Sequence, residues 1–109
     1  MTGLEIFLLM VFGHMLGDYA FQSEFMARGK NRTAPIPGIP WIHPMAAHCV
    51  IHGGLVGVIT GSIWLGLAET IIHALTDDAK CRGNISYHMD QAIHIGCKLL
   101  WALLLLGTA

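Results

Sequence analysis

The sequence predicts an all-α fold, a four-helix transmembrane bundle of up-down-up-down topology with a proline-rich loop between the first two helices. Two observations predict it. Hydrophobic residues make up 54% of the 109 residues, charged residues make up only 12%, and the mean hydropathy is +0.59. The chain also divides into four apolar segments, each with a pair of histidine or aspartate residues four positions apart. This spacing puts both side chains on one face of a helix.

The low charge content favours a membrane over water. A soluble domain averages about 25% charged residues, so this chain has few charges with which to cover the outside of a water-soluble bundle. A soluble four-helix bundle is the alternative to the membrane protein. The formal net charge is −1, which provides no basic field for a nucleic-acid partner. We therefore expect one integral membrane domain, residues 1–109, whose main partner is the lipid bilayer.

The first helix is expected over residues 4–27. Residues 6–12 form a continuous apolar run, and His14, Asp18 and Gln22 then follow at intervals of four. Polar groups inside a membrane segment usually face the interior of the protein, because lipid cannot hydrogen-bond to them. The pattern therefore indicates a membrane helix with a polar inner edge.

A proline-rich loop is expected over residues 28–43, because prolines at positions 35, 37 and 40 exclude a regular helix. Pro44 then suits the first turn of a second helix. A single helix over residues 44–80 would be about 55 Å long, too long for a hydrocarbon layer of about 30 Å. We therefore place a hairpin near Gly61, between helices at 44–60 and 63–80. The fourth helix is expected over residues 87–106.

The basic residues predict the orientation. Five of the six Lys and Arg residues fall in or beside the loops after the first and third helices: Arg28, Lys30, Arg32, Lys80 and Arg82. The positive-inside rule puts those loops in the cytoplasm. We therefore expect a multi-pass protein of the inner (cytoplasmic) membrane with both termini outside. In this arrangement every His/Asp pair falls in the cytoplasmic half of the bundle.

The paired polar residues predict a divalent-metal site. Imidazole and carboxylate groups together suit zinc, manganese or iron, and zinc is the expected ion. Eight candidates exceed the four ligands of one tetrahedral zinc ion. Either two ions bind, or some of the groups orient the histidines that bind one. The candidate ligands are His14, Asp18, His48, His52, His73, Asp77, Asp90 and His94.

Four further polar residues are expected beside the ligands, as hydrogen-bonding or charged partners: Gln22, Gln91, Glu69 and Lys98. Glu69 precedes His73 by four residues and Lys98 follows His94 by four, so both lie one turn deeper in the bundle. An unpaired charge inside a membrane is costly. We therefore expect Glu69 and Lys98 to approach each other.

The motifs, taken in order, resemble a known family. The chain carries His14-x3-Asp18-x3-Gln22, His48-x3-His52, His73-x3-Asp77 and Asp90-Gln91-x2-His94. Over residues 5–106 it is similar to the domain of unknown function 3307 family, small membrane proteins of bacteria and phages. The resemblance implies a multi-pass membrane protein with an inward His/Asp cluster, and it implies no activity. A more distant similarity is to membrane-bound metal-dependent hydrolases with histidine and aspartate on their helices.

Metal-dependent hydrolysis is the leading hypothesis for function. Water bound to such an ion attacks a phosphoester or an amide, and Asp18, Asp77 or Asp90 would be the catalytic carboxylate. The substrate would be lipid-like or phosphorylated. Two alternatives stay open. One is transport or binding of a transition metal or of protons; the other is a structural or host-interaction membrane protein, such as a phage protein, with a metal-free polar network.

Overall fold

The computed structural model describes residues 1–107, which form five α-helices and one π-helical turn and contain no strand. The helices are α1 (Gly3–Met15), α2 (Glu24–Gly29), α3 (Ile42–Thr60), α4 (Ile63–Cys81) and α5 (Tyr87–Gly107), and the π turn, Leu16–Ala20, follows α1 directly. The prediction of an all-α fold is confirmed. Three segments are long and apolar enough to cross a membrane: Gly3–Ala20, Ile42–Thr60 and Tyr87–Gly107.

The first predicted helix, residues 4–27, is not one continuous helix. The Phe21 amide donates to the Leu16 carbonyl, five residues back, at 2.8 Å, so the chain widens into a π turn. Ser23 then starts α2, since its hydroxyl accepts a hydrogen bond from the Met26 amide at 3.1 Å. The spacing of polar residues does not reveal this break, because the intervals of four between His14, Asp18 and Gln22 suit a continuous α-helix.

The hairpin between α3 and α4 lies where the sequence places it. Gly61 ends α3 with a positive φ of 72°, a conformation that glycine adopts without strain. Ser62 caps α4, because its hydroxyl accepts from the Leu65 amide at 3.2 Å. Further along the pair, a Cβ on Gly53 would lie 2.6 Å from the Gly66 carbonyl oxygen. The two helices therefore pack backbone to backbone at these glycines.

The segment between α2 and α3, residues 30–41, is non-helical and is attached to the end of α4 by two ion pairs. The Lys30 ammonium donates to Asp77 at 2.6 Å, and the Arg32 guanidinium donates to Asp78 at 2.6 Å. Arg32 also lies over the Trp41 ring, 4.4 Å from its centroid. These contacts turn Lys30 toward the interior, where it is buried.

The packing of the long helices leaves a polar interior and an apolar surface. α1 contacts α3 and α5, and α4 contacts the same two helices. Large apolar side chains face outward, including Trp64, 75% exposed, and Val58, 84% exposed. In a chain with spanning helices, lipid can cover such a surface. The buried polar and charged residues are His14, Lys30, His48, His52, Glu69, His73, Thr76, Asp77, Asp78, Asp90, His94 and Lys98.

Candidate metal centre

Four side chains each bring a ligand atom to one region between the π turn, α3 and α4. Asp18 Oδ1 lies 2.9 Å from Nε2 of His52, 3.3 Å from Nε2 of His48 and 3.8 Å from Nε2 of His73. The Nε2 atoms of His48 and His73 are 3.2 Å apart. The four residues offer ligand atoms that all lie within 4.8 Å of one another. This group can therefore hold a metal ion.

The separations between these atoms fit tetrahedral coordination. Zinc–nitrogen bonds of about 2.0–2.1 Å at tetrahedral angles put neighbouring ligand atoms about 3.3–3.4 Å apart. The four separations given above run from 2.9 Å to 3.8 Å, on both sides of that value, and no two ligand atoms of the group are more than 4.8 Å apart. An ion could therefore be accommodated by small shifts of the side chains.

The hydrogen bonding of the group also fits a cation. Nε2 of His52 is buried and lies 2.9 Å from Oδ1 of Asp18, but the two groups are not aligned as a hydrogen bond. A buried polar atom without a well-formed hydrogen bond costs about 1–3 kcal/mol. Nε2 of His48 faces Nε2 of His73, and two such nitrogens attract each other only if one of them carries a proton. A cation at this point would bind the lone pairs of all three rings.

Three elements position the four ligands. The π turn carries Asp18 toward α3, and α3 presents His48 and His52 on successive turns. Gly17 allows the approach, because a Cβ there would lie 2.6 Å from Cε1 of His52. From α4, the His73 ring stacks on His52 with centroids 3.8 Å apart. Packing between the rings therefore helps to hold the orientation of each imidazole.

The other oxygen of Asp18 is held by α1 and α5. Oδ2 accepts from Nε2 of Gln91 at 2.8 Å and lies 3.3 Å from Nε2 of His14. The side-chain oxygen of Gln91 is 2.8 Å from the same His14 nitrogen. His14 thus lies beside the four-residue group and contacts its aspartate, while Gln91 links the two.

Asp90 and His94 form a pair on α5 at the border of the group. Nε2 of His94 lies 3.1 Å from Oδ1 of Asp90. The His94 ring stacks on His73 with centroids 4.0 Å apart. Both side chains are buried. The structure therefore places this predicted pair in contact with the ligand histidines, and Asp90 and His94 are each other's partners.

Asp77 lies in an ion-pair network. Its Oδ2 is 2.6 Å from Nζ of Lys30 and 3.3 Å from Nε2 of His48, and its Oδ1 is 3.1 Å from Nζ of Lys80. Both carboxylate oxygens are engaged by ammonium groups. Asp77 thus connects the histidines to the basic end of the molecule.

Glu69 faces the other ring nitrogen of His73 and belongs to a second buried network. Its Oε1 lies 3.6 Å from Nδ1 of His73 and forms an ion pair with Lys98, and its Oε2 accepts from Nε1 of Trp101 at 2.9 Å. The expected approach of Glu69 and Lys98 is therefore present. At 3.6 Å the Glu69 carboxylate is beyond hydrogen-bond distance of Nδ1 of His73, which has no hydrogen-bond partner within the described part of the chain.

A cavity of about 60 Å³ opens beside Asp18. Two further carboxylates, Asp77 and Asp90, and two lysines, Lys30 and Lys80, form much of its wall. The cavity therefore places charged groups of both signs next to the candidate metal ligands.

The remaining polar groups of the cavity are two amides, Gln22 and Gln91, and two phenols. Gln22 lines it, and its Nε2 donates to the Asp18 carbonyl at 2.8 Å. Oε1 of Gln22 is buried and has no hydrogen-bond partner within the described part of the chain. Tyr19 and Tyr87 are the exposed members of the wall, and their hydroxyls are hydrogen-bonded to each other. This wall can therefore accept a hydrogen bond as well as donate one.

Lys30 and Trp101 are members of the site that the sequence did not predict. Trp101 follows Lys98 by three residues, which puts both on one helix face, so spacing could have identified it. Lys30 lies at the start of an irregular segment, and no local pattern predicts the path of such a segment. Its basic charge contributed only to the predicted orientation.

Comparisons with known proteins identify one family. The family model described as "Protein of unknown function (DUF3307)" matches residues 6–108. No curated protein and no solved structure matches the chain. The match covers nearly all of the sequence, including all eight candidate metal ligands.

Proposed function

The chain belongs to the DUF3307 family of proteins of unknown function, and we propose that it is an integral membrane protein that binds a divalent metal ion and uses it in hydrolysis. One observation carries the proposal. Asp18, His48, His52 and His73 come from three separate elements, and their ligand atoms lie within 4.8 Å of one another. Burying three imidazoles and a carboxylate together is costly without a compensating charge, and a cation supplies that charge.

We propose four membrane crossings in up-down-up-down order: α1 with its π turn, α3, α4 and α5. α4 has charged residues that lower its hydropathy, but Glu69 and Asp77 are each 1% exposed. Its outer face is apolar, with Trp64, Ile71 and Leu75 at 75%, 61% and 68% exposure. Such a helix suits lipid on one side and a polar interior on the other.

Labelling tests the fourth crossing. In membrane vesicles, with the native cysteines replaced, Ile71→Cys should not react with a maleimide that cannot enter the bilayer. Arg82→Cys, one residue past the end of α4, should react once its side of the membrane is accessible. Rapid reaction at position 71 would contradict a membrane location for α4.

We propose that the basic end of the molecule faces the cytoplasm and that both termini lie outside the inner membrane. The support is the cluster of Lys30, Arg32, Lys80 and Arg82 around Asp77 and Asp78, together with the positive-inside rule. Fusions at the C-terminus provide the test. Alkaline phosphatase fused there should be active and a green fluorescent protein should be dark; the reverse result would invert the topology.

The metal most consistent with this donor set is zinc, with manganese or iron as alternatives. A bound divalent ion would supply Lewis acidity and an activated water molecule. Four protein ligands complete a tetrahedral zinc site, so hydrolysis requires the ion to accept a fifth ligand, as zinc does in some transition states. The cavity beside Asp18 provides the space for water and substrate.

Within the cavity wall, Asp90 is the best-placed proton acceptor. Asp18 is committed to the histidines, and both oxygens of Asp77 already contact lysine ammonium groups. Asp90 has His94 as its partner at 3.1 Å, so a proton taken up by the carboxylate can be stabilised by the imidazole. We assign Asp90 the role of general base and Asp18 that of metal ligand.

Hydrolysis is favoured over transport because the inner side of the group is filled. Glu69, Lys98 and Trp101 form a buried network behind His73. An ion crossing the membrane would need to displace these side chains. The cavity, in contrast, lies on the side of Lys30 and Lys80, where a substrate can arrive from the basic face.

Metal analysis of the detergent-purified protein tests the proposal. Wild-type protein should retain one equivalent of divalent metal, and His48→Ala and His73→Ala should lose it. The matched controls are His43→Ala and His88→Ala, since both histidines are exposed and outside the group. Absence of metal after reconstitution with zinc, manganese and iron would instead support a metal-free polar network.

A second assay separates metal binding from catalysis. Asp90→Asn should keep the metal and lose hydrolysis of p-nitrophenyl phosphate, because the general base is removed while the ligands stay. Retention of full activity in Asp90→Asn would refute its role. If wild-type protein holds metal but hydrolyses neither phosphoesters nor amides, the metal site stands and the assignment as a hydrolase is refuted.

A further inference from the structure

The cavity beside the candidate metal site has the size of a small oxyanion. Its volume is about 60 Å³. One water-sized position needs about 10–15 Å³ of such volume, so the cavity has room for about four to six oxygen atoms. A tetrahedral phosphate group, with four oxygens, fits within it.

Hydrogen-bond donors in the wall are available for an anion. Each lysine ammonium has three N–H donors. Lys30, 4% exposed, donates to Asp77 at 2.6 Å. The Lys80 ammonium lies 3.1 Å from Asp77 and 4.0 Å from Asp90. Both side chains line the cavity. Each ammonium group therefore has N–H donors beside the cavity that its contact with Asp77 does not use.

The charge of the cavity depends on the metal. Its wall contains the carboxylates of Asp18, Asp77 and Asp90 and the ammonium groups of Lys30 and Lys80. Without an ion these groups leave one net negative charge, which disfavours an anion. A divalent cation on Asp18 reverses the sign to one net positive charge. The site should therefore accept an anion only when metal is bound.

We propose that this cavity binds the phosphate group of the substrate, with Lys30 and Lys80 as its anion-binding residues and the metal beside it. The proposal rests on the metal site proposed above. Ammonium groups bind phosphate as point charges, and a metal next to them polarises a phosphoryl oxygen. The unpartnered Oε1 of Gln22 can accept a hydrogen bond from a protonated phosphate oxygen or from a substrate hydroxyl.

The phosphate group can belong to a soluble ester or to a lipid headgroup. Tyr19 and Tyr87 line the cavity and are 54% and 49% exposed, and tyrosine is typical of the membrane–water interface. A ligand entering past these residues would therefore come from the interface, where both kinds of phosphate occur.

Calorimetric titration of inorganic phosphate into detergent-purified protein tests the proposal. Zinc-loaded wild type should bind phosphate, and metal-free protein should not. Lys80→Gln should weaken binding by about 10- to 100-fold, the effect of losing one charge-assisted hydrogen bond. Lys80→Arg keeps the charge and should restore most of the affinity. The matched control is Arg28→Gln, an exposed residue that removes the same charge from outside the cavity.

The metal content, measured on the same samples, separates the two proposals. Protein that holds zinc but binds no phosphate, or that binds it equally in wild type and Lys80→Gln, overturns the phosphate site and leaves the metal site. Protein that holds no zinc overturns the metal site, and the phosphate site with it. Phosphate binding to metal-free protein refutes the charge argument. Equal weakening of phosphate binding by Arg28→Gln would show that the effect comes from the overall charge of the protein, and it would overturn the assignment of Lys80 to the site.

Nanodiscs identify the source of the phosphate group. Zinc-loaded protein is placed in phosphatidylcholine discs with or without phosphatidic acid and titrated with inorganic phosphate. Weaker apparent binding in the discs with phosphatidic acid, absent in Lys80→Gln, assigns the site to a lipid headgroup. Unchanged binding assigns it to a soluble phosphate ester.

Discussion

Replacement of Gly17 by alanine should disable the metal site through a single added methyl group. Gly17 is buried in the π turn, against the imidazole of His52. A Cβ at this position would lie 2.6 Å from Cε1, 2.7 Å from Nε2 and 3.0 Å from Nδ1 of that ring. The methyl group would press on the ring itself, including the nitrogen that faces Asp18.

The expected effect follows from the distances. Carbon atoms in contact prefer separations of about 3.5–4.0 Å, so the His52 ring must retreat by about 1 Å. Ligand distances in metal sites hold to within about 0.2 Å of their normal values. His52 would therefore be lost as a ligand. Removing a residue that only orients a ligand costs about 10- to 100-fold in metal affinity, and loss of the ligand itself should cost at least about 100-fold.

Gly13→Ala is the matched control. Gly13 lies one turn earlier and is also buried, but a Cβ there would meet Cδ1 of Ile59 at 3.4 Å and Cβ of Leu55 at 3.6 Å. These are near-normal contacts with flexible side chains. Alanine in a helix is also about 0.5–1 kcal/mol more favourable than glycine. Gly13→Ala should therefore bind metal with wild-type affinity.

The assay is competition for zinc between the purified protein and a chromophoric chelator, in detergent. Circular dichroism checks that each variant is helical, since the added methyl group in Gly17→Ala can also destabilise the fold by about 1–3 kcal/mol. A folded Gly17→Ala protein with wild-type zinc affinity would refute the assignment of His52 as a ligand. Equal loss in Gly13→Ala would show that the effect belongs to helix α1 as a whole.

Three further perturbations test the buried charges and the metal. Removal of metal with a chelator should lower the melting temperature of the protein by about 10 °C. A ligand at 100 times its Kd stabilises the folded state by about 2.7 kcal/mol, and that free energy corresponds to a shift of this size. His73→Ala lacks a metal ligand and should show no such shift. Lys30→Met should destabilise the fold by about 1.5–3 kcal/mol, since the buried Asp77 loses its closer ammonium partner and keeps only Lys80. Arg32→Met, at a side chain 42% exposed, should cost less than about 1 kcal/mol. Equal losses of unfolding free energy in denaturant titrations would contradict the argument from burial. Lys98→Met should also lower the free energy of unfolding by about 3–5 kcal/mol. The double variant Lys98→Met/Glu69→Gln should recover part of this loss, because neither charge is then left unpaired. Losses that simply add in the double variant would mean that the two charges do not interact.

Much of the fold is accessible from composition and spacing. The apolar content and the absence of charge outside a few stripes indicate membrane helices, and Gly61 with Ser62 marks the hairpin to the residue. The interruption after Met15 was not predicted. It coincides with a contact to α3 that is distant in sequence, namely Gly17 against His52, and local propensity contains no information on such contacts.

The candidate site shows the same division. Spacing of four places His48 with His52, and His73 with Glu69, on one face of a helix. It does not tell which nitrogen of a ring points inward or which carboxylate already has a cation beside it. The structure separates Asp18, whose oxygen lies among the histidines, from Asp77, whose oxygens contact lysines. That distinction depends on the path of the irregular segment that delivers Lys30.

The π turn at Leu16–Ala20 makes the site sensitive to chain length as well as to residue type. A π turn contains one residue more than the α-helical turn that it replaces. Deleting one residue from this segment would allow a regular helix, which advances by about 100° per residue, and would rotate everything after the deletion relative to α1. When sequences of this family are aligned, a one-residue gap at positions 16–20 would therefore mark members in which the aspartate is retained but no longer directed at the three histidines. Such members would form a natural series of insertions and deletions against which the role of the carboxylate can be examined without a single designed substitution.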